Sequence, residues 1–74
     1  MLRVTLIQGR QPLFEGPARQ VVLPGAGGEV SVLDFHAPML CALTAGDVQI
    51  DDACFPVSRG VARVTHNLVT ILAE

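Results

Sequence analysis

The chain has 74 residues, half of them hydrophobic and only 16% charged, with a formal net charge of −2 from five arginines and seven carboxylates. There is no lysine, which excludes a P-loop, Schiff-base chemistry and a lipoyl- or biotinyl-lysine carrier domain. The arginines are scattered and the only aromatics are Phe14, Phe35 and Phe55, so no nucleic-acid groove or stacking platform is expected.

Taken in chain order, the sequence reads as short strands separated by turn signals. Leu2, Val4 and Leu6 alternate with Arg3, Thr5 and Ile7, the period of a half-buried strand. Gly9-Arg10-Gln11-Pro12 predicts a turn, and Leu13-Phe14-Glu15-Gly16 a short strand stopped by Gly16 and Pro17. Residues 18–23 end β-branched and apolar, and Pro24-Gly25 is expected to reverse the chain. Residues 29–33 alternate again, and residues 34–38 form a corner ending in proline. Residues 39–43 carry helix-favouring Ala, Leu and Met, but their brevity and the flanking Pro38 and Gly46 predict a strand. Residues 47–50 and 54–57 predict a hairpin with Asp51-Asp52 at a solvated tip and Pro56 near a sheet edge. Residues 61–65 and 68–72 predict a last hairpin reversed at His66-Asn67.

Turns every eight to twelve residues and the lack of helical periodicity predict an all-β fold. The expected form is a small flattened β-sandwich or barrel of short antiparallel strands, one domain over residues 1–74. A domain of this size buries only about 60% of its unfolded surface, so a partner that adds buried area is expected. The sparse charge points the same way, to at least one face meant for contact. No signal-peptide core and no apolar run of about 20 residues is present, so the expectation is a soluble intracellular chain without direct membrane insertion.

Candidate chemistry is thin. Gly25-Ala26-Gly27-Gly28 precedes a strand, where a phosphate cradle would precede a helix, so it reads as a hairpin turn. His36, Cys41, Cys54 and His66 stand singly, without the close ligand pairs of structural zinc sites. The two cysteines are expected to be reduced, buried or half-buried thiols. His36 has two readings: a side chain bracing its corner, or a partner contact.

The order of these motifs resembles the N-terminal β-domain of the epsilon subunit of F-type ATP synthases. The resemblance rests on Leu23-Pro24-Gly25, on Gly28-Glu29-Val30, on His36-Ala37-Pro38-Met39-Leu40, on Gly60-Val61-Ala62-Arg63-Val64 and on the closing Val69-Thr70-Ile71-Leu72-Ala73-Glu74. It implies a flattened β-sandwich at the foot of a rotary central stalk, binding the gamma subunit and the c-ring and making no bonds in substrates. It implies that Gly28, Glu29, Val30 and Ser31 face the c-ring loops, which often carry arginine. It implies that His36, Ala37, Pro38, Met39 and Leu40 lie toward gamma or brace that contact. It implies a peripheral subunit on the cytoplasmic side of a bacterial inner membrane, with no catalytic residue, cofactor, metal or bound ATP in this domain. Two departures stand out. Asp34-Phe35 occupies a place where the family usually has Pro-Gly, and the family's C-terminal helical domain is absent from these 74 residues. The alternative reading is a β-sandwich interaction module of another complex, with a small thiol or metal enzyme as a remote third.

Overall fold

A computed structural model describes all 74 residues, Met1–Glu74. Nine strands follow in order: β1 (Leu2–Gln8), β2 (Gln11–Ala18), β3 (Val21–Gly25), β4 (Gly28–Val32), β5 (Met39–Leu43), β6 (Gly46–Ile50), β7 (Ala53–Val57), β8 (Gly60–Thr65) and β9 (Leu68–Ala73). They form one continuous sheet in the order β2-β1-β9-β8-β5-β3-β6-β7, with β4 attached to β3. The sheet folds over on itself at β3. Val21 and Val22 pair with Ile50 and Gln49 of β6, while Gly25 pairs with Leu43 of β5. One limb is therefore β2-β1-β9-β8-β5 and the other β4-β3-β6-β7, the all-β sandwich that turn spacing and alternation predict.

Alternation decides which side chains go inside. In β1, Leu2, Val4 and Leu6 are buried; in β9, Val69, Ile71 and Ala73 are; in β8, Ala62 and Val64. These meet Val21 and Leu23 of β3 and Val48 and Ile50 of β6 in a single core of 16 hydrophobic residues. The core contains no polar or charged side chain. Each fully buried Leu, Ile or Val contributes about 1.5–3 kcal/mol relative to exposure, so this core dominates stability. Where the two limbs end at β2 and β7, Phe14 and Phe55 meet edge to face with ring centroids 6.1 Å apart, a geometry favoured by the ring quadrupoles.

Several local expectations are corrected. The first strand pairs in parallel with β9, so the strands are not all antiparallel. The first turn is only Gly9-Arg10, with Gly9 at φ 62, and β2 starts at Gln11. That strand also continues through Gly16 and Pro17 to Ala18. It tolerates Pro12 and Pro17 because it is an edge strand, where a missing donor breaks no second ladder. The expected strand over residues 18–23 is interrupted at Arg19-Gln20. Pro24-Gly25 does not reverse the chain but lies inside β3, and the turn is Ala26-Gly27. The Pro24 carbonyl accepts the Thr44 N–H at 2.9 Å, which ties β3 to the segment after β5. Cys54 is exposed rather than buried, while Cys41 is half-buried and both are free thiols.

The Asp51-Asp52 tip is more than a solvated turn. Asp51 adopts φ 51, and its Oδ1 accepts the Arg19 N–H at 3.0 Å and the Gln20 N–H at 3.1 Å. Its own N–H donates to the Gln20 carbonyl at 3.0 Å. One carboxylate thus fastens the β6–β7 hairpin to the β2–β3 corner. Asp51→Ala is expected to cost about 1 kcal/mol, because two exposed amides lose their acceptor. A thermal melt should show Tm lower by roughly 4–8 °C. Asp51→Asn, which keeps an oxygen acceptor and tolerates the left-handed backbone, should melt near wild type. Equal melts for Asp51→Ala and wild type would refute the tie.

Candidate functional site

The β3–β4 hairpin closes tightly because glycines occupy its base. Gly25 faces Gly28 across the Ala26-Gly27 turn, and Gly28 takes φ 130, a region open essentially to glycine. The register then runs Pro24–Glu29, Leu23–Val30 and Val22–Ser31. Glu29 and Ser31 are consequently exposed, while Val30 is half-buried against the core. The Ala26 N–H donates to the Ala42 carbonyl at 2.9 Å, which lays the hairpin tip along β5.

That contact creates a shallow cleft of about 410 Å³ between the hairpin and β5. Its walls include Gly28, Glu29 and Val30 on one side and Met39, Leu40 and Cys41 on the other. Two segments singled out separately in the sequence therefore share one surface. Ser31 is not part of that wall. Glu29 is the only formally charged residue lining it. Leu40, opposite Arg63 on β8, is 73% exposed and gives the rim an apolar edge.

His36 and Pro38 belong to a second cleft, of about 360 Å³, together with Phe35, His66 and Asn67. Ala37 is exposed and lines neither cleft. His36 Nδ1 lies 2.7 Å from the Ala37 carbonyl, and the His36 N–H donates to the Leu33 carbonyl at 3.2 Å. With Nδ1 protonated, the imidazole braces the corner, and its other nitrogen is not part of that contact. The departure at Asp34-Phe35 is accommodated by strain and by new partners. Phe35 takes φ 64 and His66 φ 55, both left-handed. A bulky side chain in this region costs about 1–2 kcal/mol. The Phe35 N–H donates to Asn67 Oδ1 at 3.0 Å, coupling this corner to the β8–β9 turn. Asp34 pairs with the Met1 ammonium at 2.8 Å. Sequence reading missed the Asn67 contact, although an Asn at a tight reversal is a recognised side-chain partner for nearby backbone.

His36, Cys41, Cys54 and His66 do not converge: no group of three His, Cys, Asp or Glu side chains is arranged to hold a metal ion. Around the predicted segments the surface offers two recesses built on tight turns, one with Leu40 and one with Phe35 exposed at its rim. Glu29 is the only carboxylate lining either recess, and no arginine lines them. No helix is present that is long and apolar enough to cross a membrane.

Fold and surface together define a small β-sandwich domain with tight turns and shallow clefts on its surface. The model of the ATP synthase delta/epsilon chain β-sandwich domain matches residues 1–74, and the chain belongs to that family. It is 38% identical over 80 residues to the ATP synthase epsilon chain of Rickettsia bellii, covering 99% of this chain and 74% of that one. It is 37% identical over 78 residues to ATP synthase epsilon chain 1 of Methylococcus capsulatus, covering 99% of this chain and 56% of that one. Against the epsilon chain of Nitrosospira multiformis the identity is 32% over 79 residues, with 57% of that chain covered. The chain thus spans a little over half the length of several relatives it matches. Its fold is also similar to a chain in the cryo-EM structure of Euglena gracilis mitochondrial ATP synthase, OSCP/F1/c-ring. There the TM-score is 0.85 and the identity 22%, covering 97% of this chain and 49% of that one. A chain of the Tetrahymena thermophila mitochondrial ATP synthase central stalk and c-ring gives TM-score 0.78 at 15% identity, covering 99% of this chain and 63% of that one.

Proposed function

We propose that this domain is a noncatalytic rotor element of an F-type ATP synthase, seated between the gamma subunit and the c-ring. It would hold stalk to ring so that rotation driven by ion flow reaches the catalytic head. The reading is carried by one juxtaposition: Gly28, Glu29 and Val30 of the hairpin share a cleft with Met39 and Leu40 of β5. Support also comes from relatives named as ATP synthase epsilon chains in bacteria. The mitochondrial assemblies with similar chains are described as F1/c-ring and central stalk/c-ring. In this reading the chain is a peripheral subunit on the cytoplasmic side of a bacterial inner membrane. Gly28, Glu29, Val30 and Ser31 meet the c-ring, and residues 36–40 meet gamma or brace that contact. The domain itself binds no ATP, cofactor or metal.

The division of labour follows from the residues. A short hairpin whose turn is Ala26-Gly27 carries almost no side chain at its tip, so it can enter the space between partner loops with little side-chain ordering. Glu29 supplies one exposed carboxylate for a basic loop. Such a contact adds about 0–1 kcal/mol when solvated and more when water is excluded.

Affinity capture of the chain should co-purify gamma and c subunits from membranes. Glu29→Arg should leave the melting curve unchanged, because Glu29 is exposed and opposes Pro24 on the sheet edge. It should weaken attachment of the catalytic head to the ring roughly fivefold or more, and most at low salt, where screening is weakest. Unaltered proton pumping and ATP synthesis in the Glu29→Arg assembly would remove Glu29 from the contact.

A further inference from the structure

We propose that Phe35 is a docking anchor, its ring entering a neutral apolar socket on the stalk protein that this domain meets. The proposal rests on the rotor reading for the partner's identity and adds the residue and the chemistry of the contact. Phe35 sits at φ 64, where glycine is the unstrained choice and a bulky side chain is disfavoured. The ring gains nothing inside the molecule in return, since Phe35 is 90% exposed. Yet the backbone there is held firmly. The Phe35 N–H donates to Asn67 Oδ1 at 3.0 Å, and the next residue's N–H donates to the Leu33 carbonyl at 3.2 Å. A strained residue fixed by its surroundings, whose ring finds no compensating burial within the chain, points to a use outside it. Fixing the backbone also lowers the ordering cost of presenting the ring to a partner.

The neighbourhood specifies the socket. Leu33 and Leu40, on either side of the corner in sequence, are 54% and 73% exposed. The nearest formal charge in sequence, Asp34, is paired with the Met1 ammonium at 2.8 Å. The residues that share the ring's cleft are His36, Pro38, His66 and Asn67, none of them a carboxylate or an arginine. The matching recess is therefore apolar where it takes the phenyl ring and carries no formal charge at its rim. Lipid is the other apolar environment an exposed phenylalanine could enter. The chain has no lysine and a net charge of −2, so an anionic membrane surface repels it. A protein socket is the environment that remains. Aromatic side chains in desolvated pockets are among those that dominate protein–protein affinity.

The test compares wild type, Phe35→Gly and Phe35→Asn for thermal stability and for binding to the purified gamma subunit encoded with this chain. Both variants remove the ring and accept a left-handed backbone. They should melt at or above the wild-type temperature, yet bind gamma about 10-fold more weakly or worse. If wild type binds and both variants bind within about twofold of it, the anchor is refuted and the rotor reading stands. If wild type does not bind gamma, both fall. Variants that melt well below wild type would show that the ring supports the fold, which overturns the proposal. Ring-dependent binding of wild type to phosphatidylglycerol vesicles would overturn the protein socket.

Discussion

Gly60→Ala is expected to deprive the chain of a stable fold at physiological temperature. Gly60 opens β8 and lies between Leu43 of β5 and Ala73 of β9. A Cβ placed there would lie 2.3 Å from the Leu72 carbonyl oxygen and 2.8 Å from the Ala73 Cα. Both obstacles are backbone, so no rotamer change relieves them. Overpacking ordinarily costs about 1–3 kcal/mol, and collision with a central strand belongs at or beyond the upper end. At roughly 0.05–0.15 kcal/mol per residue, a chain this short has little to lose. Tm should fall by about 12 °C or more, read by circular dichroism. Gly27→Ala, whose Cβ meets nothing within 4 Å, is the matching control and should melt near wild type. A Gly60→Ala melt within a few degrees of wild type would contradict the packing between β8 and β9.

The sequence announces the fold because local and tertiary preferences agree at most positions. Strands β1, β8 and β9 alternate, and their inward residues supply half of the core. Residues 39–43 have helical composition but become β5, since pairing with β8 and β3 outweighs a weak propensity. The errors fall where a partner strand is missing or where pairing is long-range. Nothing in the composition shows that β2 is an edge, so Pro12, Gly16 and Pro17 read as stops when they are tolerated. Nothing local reveals that β1 returns beside β9, because that parallel pair joins the two ends of the chain.

The candidate site is legible in part for the same reason. Glycine spacing marks the hairpin, because only glycine suits φ 130 at Gly28. The meeting of that hairpin with β5 is not legible, since it depends on long-range backbone pairing alone: the Gly25–Leu43 bridge and the bonds from the Ala26 N–H to the Ala42 carbonyl and from the Thr44 N–H to the Pro24 carbonyl. The bonds from Arg19 and Gln20 to Asp51, and from Phe35 to Asn67, link residues 31 or 32 positions apart. Short polar side chains at turns signal that some backbone group is capped, but not which one.

Gly25→Ala should separate the fold from the function. A Cβ at Gly25 would lie 2.6 Å from the Gly28 carbonyl oxygen, 3.2 Å from Cys41 Sγ and 3.2 Å from Val30 Cγ2. The thiol and the valine methyl can each shift by a few tenths of an ångström, but the Gly28 oxygen is hairpin backbone. The hairpin has a way out that Gly60 lacks, because β4 pairs with β3 alone and can splay. The expected cost is therefore about 2–3 kcal/mol, with the core intact. The displaced segment is the one that carries Gly28, Glu29 and Val30, and its movement opens the cleft against β5. Hydrogen exchange should quicken at Ala26 and Thr44, whose N–H groups donate to the carbonyls of Ala42 and Pro24. Exchange in β1 and β9 should stay slow relative to the new global stability. Capture of gamma and c subunits should fall further than with Glu29→Arg, since the whole proposed contact surface moves rather than one charge. Unchanged capture despite faster exchange at Ala26 would mean that the hairpin is not where the partners bind. Weaker capture with unchanged exchange would mean that the added methyl, and not the hairpin's geometry, disturbs the contact.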